Sequence, residues 1–344
     1  MATNENTTEE EYLIPTSFKA FVLNQDTEGS IQAAVQTLTL DDLPEADVTV
    51  QVHYSSVNYK DALACSPNGN IVKQYPFIPG IDASGVVIHS KDDRFQPGQA
   101  VLLTGYEFGV NHFGGFSEYI RVPGDWLIPI PKGLSKQVAM TFGTAGLTAA
   151  LSVERLEKHG IAPDDGKILV TGASGGVGTL AVAMLAKQGY RVTAATGKKE
   201  AEVLLYALGA EEVISRDSWM PDRPRSLDRQ KWAAAVDVCG GDILASTLAA
   251  IRYGGAVAAS GMTNGGTLPT TVYPFILRGI TLYGIDSVYA PQETRMQIWT
   301  RIARQWTEIA QTEGFVHTYS LDEVPPLTAG MLQGQSLGRA IIKF

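Results

Sequence analysis

One glycine-rich segment constrains the fold of this chain more than any other feature. A short apolar stretch, Lys167–Thr171, runs into closely spaced glycines over Gly172–Gly178, and an apolar helical stretch, Leu180–Leu185, follows at once. A second apolar stretch, Tyr190–Ala195, completes a strand–turn–helix–strand unit. Such a unit is typical of proteins that hold a dinucleotide pyrophosphate, because glycine lets phosphate approach the backbone and the helix start offers free N–H groups. The alternative is a structural turn that closes an ordinary βα unit.

The rest of the chain divides into a β-rich part and an α/β part. Short strands without intervening helices predict a barrel-type β domain over residues 18–130. Its strands are expected at Phe18–Leu23, Val48–Tyr54, Ala83–His89, Ala100–Thr104 and Phe116–Val122. After Ser135, a candidate helix N-cap, helices and strands alternate, and this alternation predicts a doubly wound parallel sheet. Further helices are expected at 135–142, 148–159, 180–189, 199–208, 243–251 and 293–311, and further strands at 167–171, 190–195, 212–214, 234–239, 256–260 and 338–344.

These patterns predict an α/β protein with two folded domains. We expect residues 1–16 to form a disordered acidic tail. The β-barrel-type domain is expected to combine residues 17–138 with residues 289–344, and the parallel-sheet domain to take residues 139–288. Residues 216–229, rich in Pro, Asp and Arg, predict a loop with room for one helical turn.

Composition and charge exclude several classes of protein. The formal charge is −9 without a basic stretch, which disfavours nucleic-acid binding. Cys65 and Cys239 are isolated and the five histidines offer no close ligand pair, so we expect no metal site. No stretch reaches about twenty apolar residues, so we expect no membrane span. Acidic residues precede Lys19, the first basic residue, unlike a secretory or mitochondrial signal, and a cytoplasmic protein is expected.

The residues after the second strand of the glycine unit indicate which nicotinamide cofactor binds. An acid there would accept hydrogen bonds from the ribose 2′-hydroxyl of NAD. This chain instead has Thr196, Gly197 and Lys198 followed by Lys199, and Arg216 comes just after the next strand. Small residues and cations suit a 2′-phosphate, so the sequence predicts NADPH. The alternative is that the two lysines form a solvated first helical turn, although cations oppose the dipole at a helix start.

Without a metal ion, hydride transfer requires a substrate with a polarised acceptor carbon. A conjugated carbonyl provides one, since negative charge develops on its oxygen as hydride reaches the β-carbon. Tyr59, in the sequence Asn58-Tyr59-Lys60-Asp61, is our candidate hydroxyl donor, with Lys60 or Asn58 able to polarise it. The alternatives are a simple contact with the cofactor and a packed tyrosine whose hydroxyl is merely satisfied.

At these motifs the chain resembles the zinc-free, quinone-oxidoreductase-like branch of the medium-chain dehydrogenase/reductase superfamily. The resemblance extends from Phe18 to Phe344 and includes Phe77–Gly85, Gly143–Ala149 and the glycine segment. Zinc members carry Gly-His-Glu where this chain has Gly80-Ile81-Asp82. Two more discriminating stretches, Leu268–Arg278 and Gly284–Val288, resemble the acrylyl-CoA reductase subgroup, whose members use NADPH.

The resemblance implies a GroES-like domain joined to a Rossmann domain, with substrate in the cleft between them, and homodimers are common in the family. It also implies a set of cofactor contacts. These are Tyr59 near the active site, Ser174, Gly175, Gly176 and Val177 at the pyrophosphate, Thr196, Gly197, Lys198 and Arg216 at the 2′-phosphate, Met262, Ile276 and Ser287 near the nicotinamide, and Arg339 beside the cofactor. Lys198 stands where relatives often have arginine, and it keeps the charge without the forked geometry.

Three functions are compatible with these observations. The first is NADPH-dependent reduction of the double bond of a conjugated acyl-CoA, with acryloyl-CoA converted to propanoyl-CoA. The second is a broader NADPH-dependent quinone or alkenal reductase on the same fold. The third is a non-catalytic NADPH-binding protein, because a fold does not fix a function.

Overall fold

The computed structural model describes residues 15–221, 223 and 225–344. The strands are β1 Phe18–Gln25, β2 Ile31–Leu38, β3 Val48–Val57, β4 Asp82–Ser90, β5 Ala100–Thr104, β6 Tyr119–Val122, β7 Ile128–Pro129, β8 Ile168–Val170, β9 Val192–Thr196, β10 Glu212–Ser215, β11 Trp232–Asp237, β12 Ile251–Ala259, β13 Thr281–Gly284, β14 Val316–Tyr319 and β15 Arg339–Lys343. The helices are α1 Tyr59–Ala64, α2 Lys136–His159, α3 Gly176–Lys187, α4 Glu202–Ala207, α5 Arg216–Trp219, α6 Gly241–Ala250, α7 Tyr273–Arg278, α8 Gln292–Gln305 and α9 Val324–Leu332. The predicted acidic tail lies almost wholly outside the described residues.

The second half of the chain forms a six-stranded sheet in which every paired strand is parallel. Its order is β10-β9-β8-β11-β12-β13, which places β8 and the glycine turn at the centre of the sheet. The order reverses between β8 and β11, and a parallel sheet binds its ligands at such a reversal. This arrangement confirms the prediction of a doubly wound sheet of the Rossmann type.

A second sheet joins strands from both ends of the chain. Its order is β14-β15-β3-β4-β5-β7, with β6 paired to β3, while β1 and β2 form a separate antiparallel pair. The last strand, β15, pairs antiparallel with β3, so the chain returns to the β-rich part after the parallel sheet. The expected barrel-type β region is therefore present, and its last strand brings Arg339 to the site described below.

Helix α2 connects the two sheets and differs from its prediction. The sequence predicts separate helices at 135–142 and 148–159, whereas the structure runs one element from Lys136 to His159 with a kink at Gly143. Gly143 has a φ of 52°, which an L residue rarely adopts. The predicted N-cap at Ser135 is confirmed, because its hydroxyl accepts a hydrogen bond from the Val138 N–H at 3.1 Å.

Several predicted boundaries are wrong for identifiable reasons. Helix α3 begins at Gly176 rather than Leu180, since the glycine turn leads directly into it. The strand predicted at 116–122 begins only at Tyr119, because Ser117 makes an isolated bridge to Ala20 instead. Helix α8 ends at Gln305, and a 3-10 turn continues to Gln311. The sequence does not predict four strands, because each is short or partly exposed and depends on a partner strand; these are β2, β7, β13 and β14.

Candidate functional site

The glycine turn meets the geometric requirements of an anion site. Gly172 has a φ of 56°, and a Cβ there would lie 2.6 Å from Val238 Cγ2. A Cβ on Gly178 would overlap the carbonyl oxygen of Gly172. Among the residues that the structure describes, no side chain caps the first turn of α3, so its leading N–H groups remain available to an anion. A Cβ on Gly175 would meet only Gly172 O, at 3.4 Å, so this side of the turn is open. The turn therefore fits a pyrophosphate group.

Hydrogen bonds connect the turn to the end of the next strand. The Thr196 hydroxyl donates to Ser174 Oγ at 2.9 Å, and both side chains are buried. The Lys198 N–H in turn donates to Thr196 Oγ1 at 3.0 Å. Strand β9 therefore ends beside the turn, and the residues predicted to distinguish NADP from NAD lie next to the predicted pyrophosphate site.

Two cations lie at this end of β9. The Arg216 guanidinium lies beside Gly197, whose Cβ would be 3.8 Å from Arg216 Cζ. Lys198 Nζ donates to the backbone carbonyl of Ser336, in the connection from α9 to β15. Burial lowers the pKa of Lys198, so this ammonium is only partly solvated. A 2′-phosphate placed here would meet two positive charges.

Arg339 connects the β region to the same turn. Its side chain is only 3% exposed, and its Nε donates to the Thr141 carbonyl at 2.8 Å. A Cβ on Gly176 would lie 2.7 Å from Arg339 Nη1, so the guanidinium rests against the first residue of α3. Its Nη2 donates to Asn58 Oδ1 at 3.4 Å. Asn58 precedes Tyr59, and this contact therefore brings the candidate hydroxyl donor to the same cleft.

Tyr59 is available to a ligand. It is the first residue of α1, and 47% of its surface is exposed. The Asn58 N–H donates to Asp61 Oδ2 at 2.7 Å, which fixes the start of α1 and thereby the position of the tyrosine. Tyr59 is thus a fixed residue with an accessible side chain, in keeping with a donor or a cofactor contact rather than with a packed core tyrosine.

The three residues predicted near the nicotinamide differ in their surroundings. Ser287 is buried, and its Oγ accepts from Thr148 Oγ1 at 2.7 Å. Thr148 lies one turn after Thr144 on α2, so this helix connects Ser287 to the cleft. Met262 follows β12 and is 73% exposed, with its Cα 3.2 Å from the position of a Cβ on Gly240. Ile276 is 69% exposed on α7, and none of the hydrogen bonds or close approaches described above involves it.

The sequence does not predict that a cluster of buried polar residues forms beside Arg339. Asp82 Oδ2 accepts from Asn58 Nδ2 at 2.8 Å, from the Thr144 N–H at 2.9 Å and from the Ser56 hydroxyl. Burial and the neighbouring charge of Asp82 raise the pKa of Asp61 to about 7. The signal in the sequence is faint, because Ser56 and Asp82 are two of several polar residues in β3 and β4. They come from distant segments, so no spacing rule unites them.

Two further observations concern metal sites and membrane-spanning helices. Across residues 15–221, 223 and 225–344, no group of three or more His, Cys, Asp or Glu side chains could hold a metal ion. Within the same residues, none of the helices combines the length and apolar character that crossing a bilayer requires.

The chain matches two family models and several close relatives. The models are the alcohol dehydrogenase GroES-like domain, over residues 44–132, and the zinc-binding dehydrogenase, over residues 176–304. AcuI of Ruegeria pomeroyi, an acrylyl-CoA reductase, is 47% identical over 94% of this chain and 98% of the relative. YhfP of Bacillus subtilis, which is called a quinone oxidoreductase, is 50% identical over 91% of this chain and 95% of the relative.

Solved structures agree with these matches. Escherichia coli YhdH with bound NADPH is 49% identical and superposes with a TM-score of 0.90, covering 94% of this chain and 99% of that one. Bacillus subtilis YhfP with NAD bound is also 49% identical, with a TM-score of 0.92 over 96% of this chain and all of that one. The chain therefore belongs to the medium-chain dehydrogenase/reductase superfamily, in its zinc-free quinone-oxidoreductase-like branch, and within that branch to the acrylyl-CoA reductase subgroup.

Proposed function

We propose that this NADPH-dependent oxidoreductase reduces the carbon–carbon double bond of acryloyl-CoA to give propanoyl-CoA. The observation that supports a reductase site here is the approach of Arg339, from β15, to Gly176, at the start of α3. This contact joins the dinucleotide turn and the polar residues of the β region in one cleft. The acyl-CoA substrate is supported by the 47% identity to a relative named acrylyl-CoA reductase.

We assign the cofactor contacts as the sequence predicts them. Ser174, Gly175, Gly176 and Val177 hold the pyrophosphate, while Thr196, Gly197, Lys198 and Arg216 hold the 2′-phosphate. Met262, Ile276 and Ser287 lie toward the nicotinamide, with Tyr59 and Arg339 on the opposite wall of the cleft. The glycine turn supports this assignment, because its open side and uncapped helix start suit a phosphate group.

Bound NADPH supplies a hydride to the β-carbon of the conjugated thioester. The negative charge that develops on the carbonyl oxygen requires a hydrogen-bond donor, and we assign this role to the Tyr59 hydroxyl. Its 47% exposure leaves the hydroxyl accessible, and the bond from the Asn58 N–H to Asp61 fixes the start of its helix. The reaction is complete when the α-carbon takes up a proton, so one hydride and one proton, which together are two electrons and two protons, saturate the double bond.

The decisive experiment is a substrate panel with saturating NADPH. We expect kcat/KM for acryloyl-CoA to exceed that for a simple quinone and for an α,β-unsaturated aldehyde by about a hundredfold or more, because the CoA moiety contributes binding energy to the transition state. The matched control is the acryloyl thioester of N-acetylcysteamine, which keeps the reacting group and lacks the nucleotide. Comparable rates on all substrates would favour the broader quinone or alkenal reductase. Tight NADPH binding without turnover would favour a non-catalytic protein.

We also propose a homodimer formed through the edge of the parallel sheet. Strand β13 ends the sheet order, and the segment just before it in the chain exposes apolar side chains, among them Val272 and, on α7, Leu277. An exposed apolar surface beside an edge strand favours a partner. Light scattering should give twice the 36.9 kDa chain mass, and Leu277→Asp should shift the protein towards monomer. A monomeric unmodified protein would contradict the proposal.

The domain limits remain those that the sequence predicts. We propose residues 17–138 with 289–344 for the GroES-like domain and 139–288 for the Rossmann domain. The pairing of β15 with β3 supports the return of the chain end to the first domain. Limited proteolysis followed by mass analysis of the fragments tests these limits.

A further inference from the structure

Arg339 occupies an environment that is costly for a charged side chain. It is almost fully buried, and burial lowers its pKa while the charges of Asp82 and Asp61 act in the opposite direction. Two of its three nitrogens have partners, since Nε donates to Thr141 O and Nη2 to Asn58 Oδ1. Nη1 makes no hydrogen bond within the described chain, and it faces the backbone at Gly176. A buried cation with a free donor therefore points at the start of α3.

The link from Arg339 to negative charge runs through a single amide. Asn58 Nδ2 donates to Asp82 Oδ2 at 2.8 Å, while Asn58 Oδ1 accepts from the guanidinium. Only this orientation of the amide satisfies both neighbours, because a carboxylate needs a donor and a guanidinium needs an acceptor. The charge of Asp82 thus determines which face the amide of Asn58 presents to Arg339.

Asp82 is itself held by donors from other segments. The Thr144 hydroxyl donates to its Oδ1 at 2.5 Å, and the Thr144 N–H donates to its Oδ2 at 2.9 Å. The kink of α2 at Gly143 makes room for this arrangement, because a Cβ there would lie 2.5 Å from Asp82 Oδ2 and 3.3 Å from Arg339 Nη2. The kink, the carboxylate and the guanidinium therefore form one close-packed unit.

We infer that Asp82 is a positioning residue for cofactor binding: through Asn58 it orients the Arg339 guanidinium, whose free Nη1 then supplies positive charge to the pyrophosphate at the start of α3. The inference rests on the proposed function, since it requires the pyrophosphate to lie at the glycine turn. A helix start and a guanidinium facing the same anion reinforce each other. Because Arg339 lies on β15 of one sheet and α3 follows β8 of the other, the bound cofactor also joins the two walls of the cleft.

The main test is the substitution Asp82→Asn. Asparagine keeps the volume of the side chain but removes the charge, so the amide of Asn58 is free to turn its NH2 group toward Arg339. We expect the Kd for NADPH, measured by fluorescence titration, to rise about tenfold, the effect of losing one charge-assisted hydrogen bond. The Kd for adenosine 2′-monophosphate should change less than about twofold, because this ligand has no pyrophosphate for Arg339 to bind. Equal weakening of both ligands would overturn the inference.

A matched control separates positioning from simple destabilisation. Ser55 Oγ donates to the backbone carbonyl of Asp82 at 2.7 Å in the same buried setting. Ser55→Ala removes this hydrogen bond without touching the carboxylate, so we expect a lower Tm and an unchanged Kd for NADPH. If Ser55→Ala weakens NADPH binding as much as Asp82→Asn does, the effect is structural and the inference fails.

A double-mutant cycle tests the route through Arg339. If Asp82 acts through that guanidinium, Asp82→Asn should add nothing to the NADPH Kd of Arg339→Gln, and additive effects would overturn the inference. Should Asp82→Asn fail to fold, Asn58→Leu replaces it in the cycle. This substitution breaks the same link to Arg339 and leaves the other hydrogen bonds to Asp82 in place.

Gly175→Val tests the pyrophosphate site itself: if this variant leaves NADPH binding intact, the assignment of the turn fails. If Gly175→Val weakens binding and Asp82→Asn does not, only the role of Asp82 fails.

Discussion

The two walls of the cleft are built in opposite ways. The glycine turn between β8 and α3 presents backbone N–H groups, and its glycines have no side chain that would occupy the space of the turn or of the ligand. The opposite wall presents a polar cluster of side chains, namely the buried Asn58, Asp61, Asp82 and Arg339 and the half-buried Thr144 of α2. The turn comes from one continuous segment, whereas the cluster combines four separate segments of the chain.

This difference determines how each wall tolerates change. A backbone site fails when a side chain is added, because the added atoms occupy the space of the ligand or of the turn. A side-chain cluster fails when a group is removed or its charge is altered, since buried polar atoms then lose their partners. Gly143 is the exception within the cluster, because it is a backbone requirement inside a side-chain network.

The largest expected effect is that of Gly143→Val. A side chain at this position would overlap Ser56 Oγ and press on Asp82, and its φ of 52° is strained for a β-branched residue. We expect a loss of about 4 kcal/mol or more in the free energy of unfolding, measured by urea denaturation.

The control for this prediction is Gly160→Val. Gly160 ends α2 with a φ of 100°, but nothing lies within 4 Å of the position of its Cβ. Here only the backbone strain remains, and the expected loss is about 1–2 kcal/mol. Equal losses at the two glycines would mean that the cluster does not depend on the close packing at the kink.

The largest effect on cofactor binding is expected from Lys198→Glu on the turn side of the cleft. A carboxylate in place of the ammonium would repel the 2′-phosphate, so KM for NADPH should rise about a hundredfold while KM for NADH changes less than about threefold. Steady-state kinetics with both cofactors measure this difference. Lys199→Glu, one residue further along on an exposed side chain, should leave both values nearly unchanged. Equal effects on the two cofactors would contradict the 2′-phosphate role.

The two walls also differ in how far the sequence predicts them. The parallel strands up to β12 are apolar runs that end at turns, and the function of the glycine turn follows from adjacent residues, so local patterns suffice there. Strand β2 is half-exposed and exists because it pairs with β1. The link from Asp82 to Arg339 spans more than 250 residues, and only the fold brings these two residues together. The resemblance identifies Arg339 beside the cofactor, but not what orients it.

A third prediction concerns the charge inside the cluster. The pKa of Asp61 is raised to about 7 by burial and by Asp82, above its value of about 3.8 in the unfolded chain. Its contribution to stability is therefore complete below pH 4 and is lost as the pH rises through 7. Relative to Asp61→Asn, the unmodified protein should lose about 4 kcal/mol of unfolding free energy between pH 4 and pH 8.

The control for the pH dependence has the opposite sign. Hydrogen bonds from Thr39 lower the pKa of the exposed Asp42, so its contribution is present above its unfolded pKa and is lost as the pH falls. Asp42→Asn should therefore lower stability at neutral pH, and the difference from the unmodified protein should shrink as the pH falls below the unfolded pKa of Asp42. A stability difference between Asp61→Asn and the unmodified protein that stays constant from pH 4 to pH 8 would mean that Asp61 titrates normally.

The smallest expected effect belongs to Tyr59, on the wall opposite the glycine turn. Tyr59→Phe removes one hydroxyl from an exposed ring and leaves the start of α1 intact, because the bond from the Asn58 N–H to Asp61 does not involve this side chain. If the hydroxyl donates to the carbonyl oxygen in the transition state, kcat for acryloyl-CoA should fall about tenfold while the Kd for NADPH remains within about twofold. Tyr206→Phe, on the similarly exposed tyrosine of α4, provides the matched control and should change neither value. An unchanged kcat with a raised Kd would make Tyr59 a cofactor contact, and the developing negative charge would then depend on a donor other than this hydroxyl.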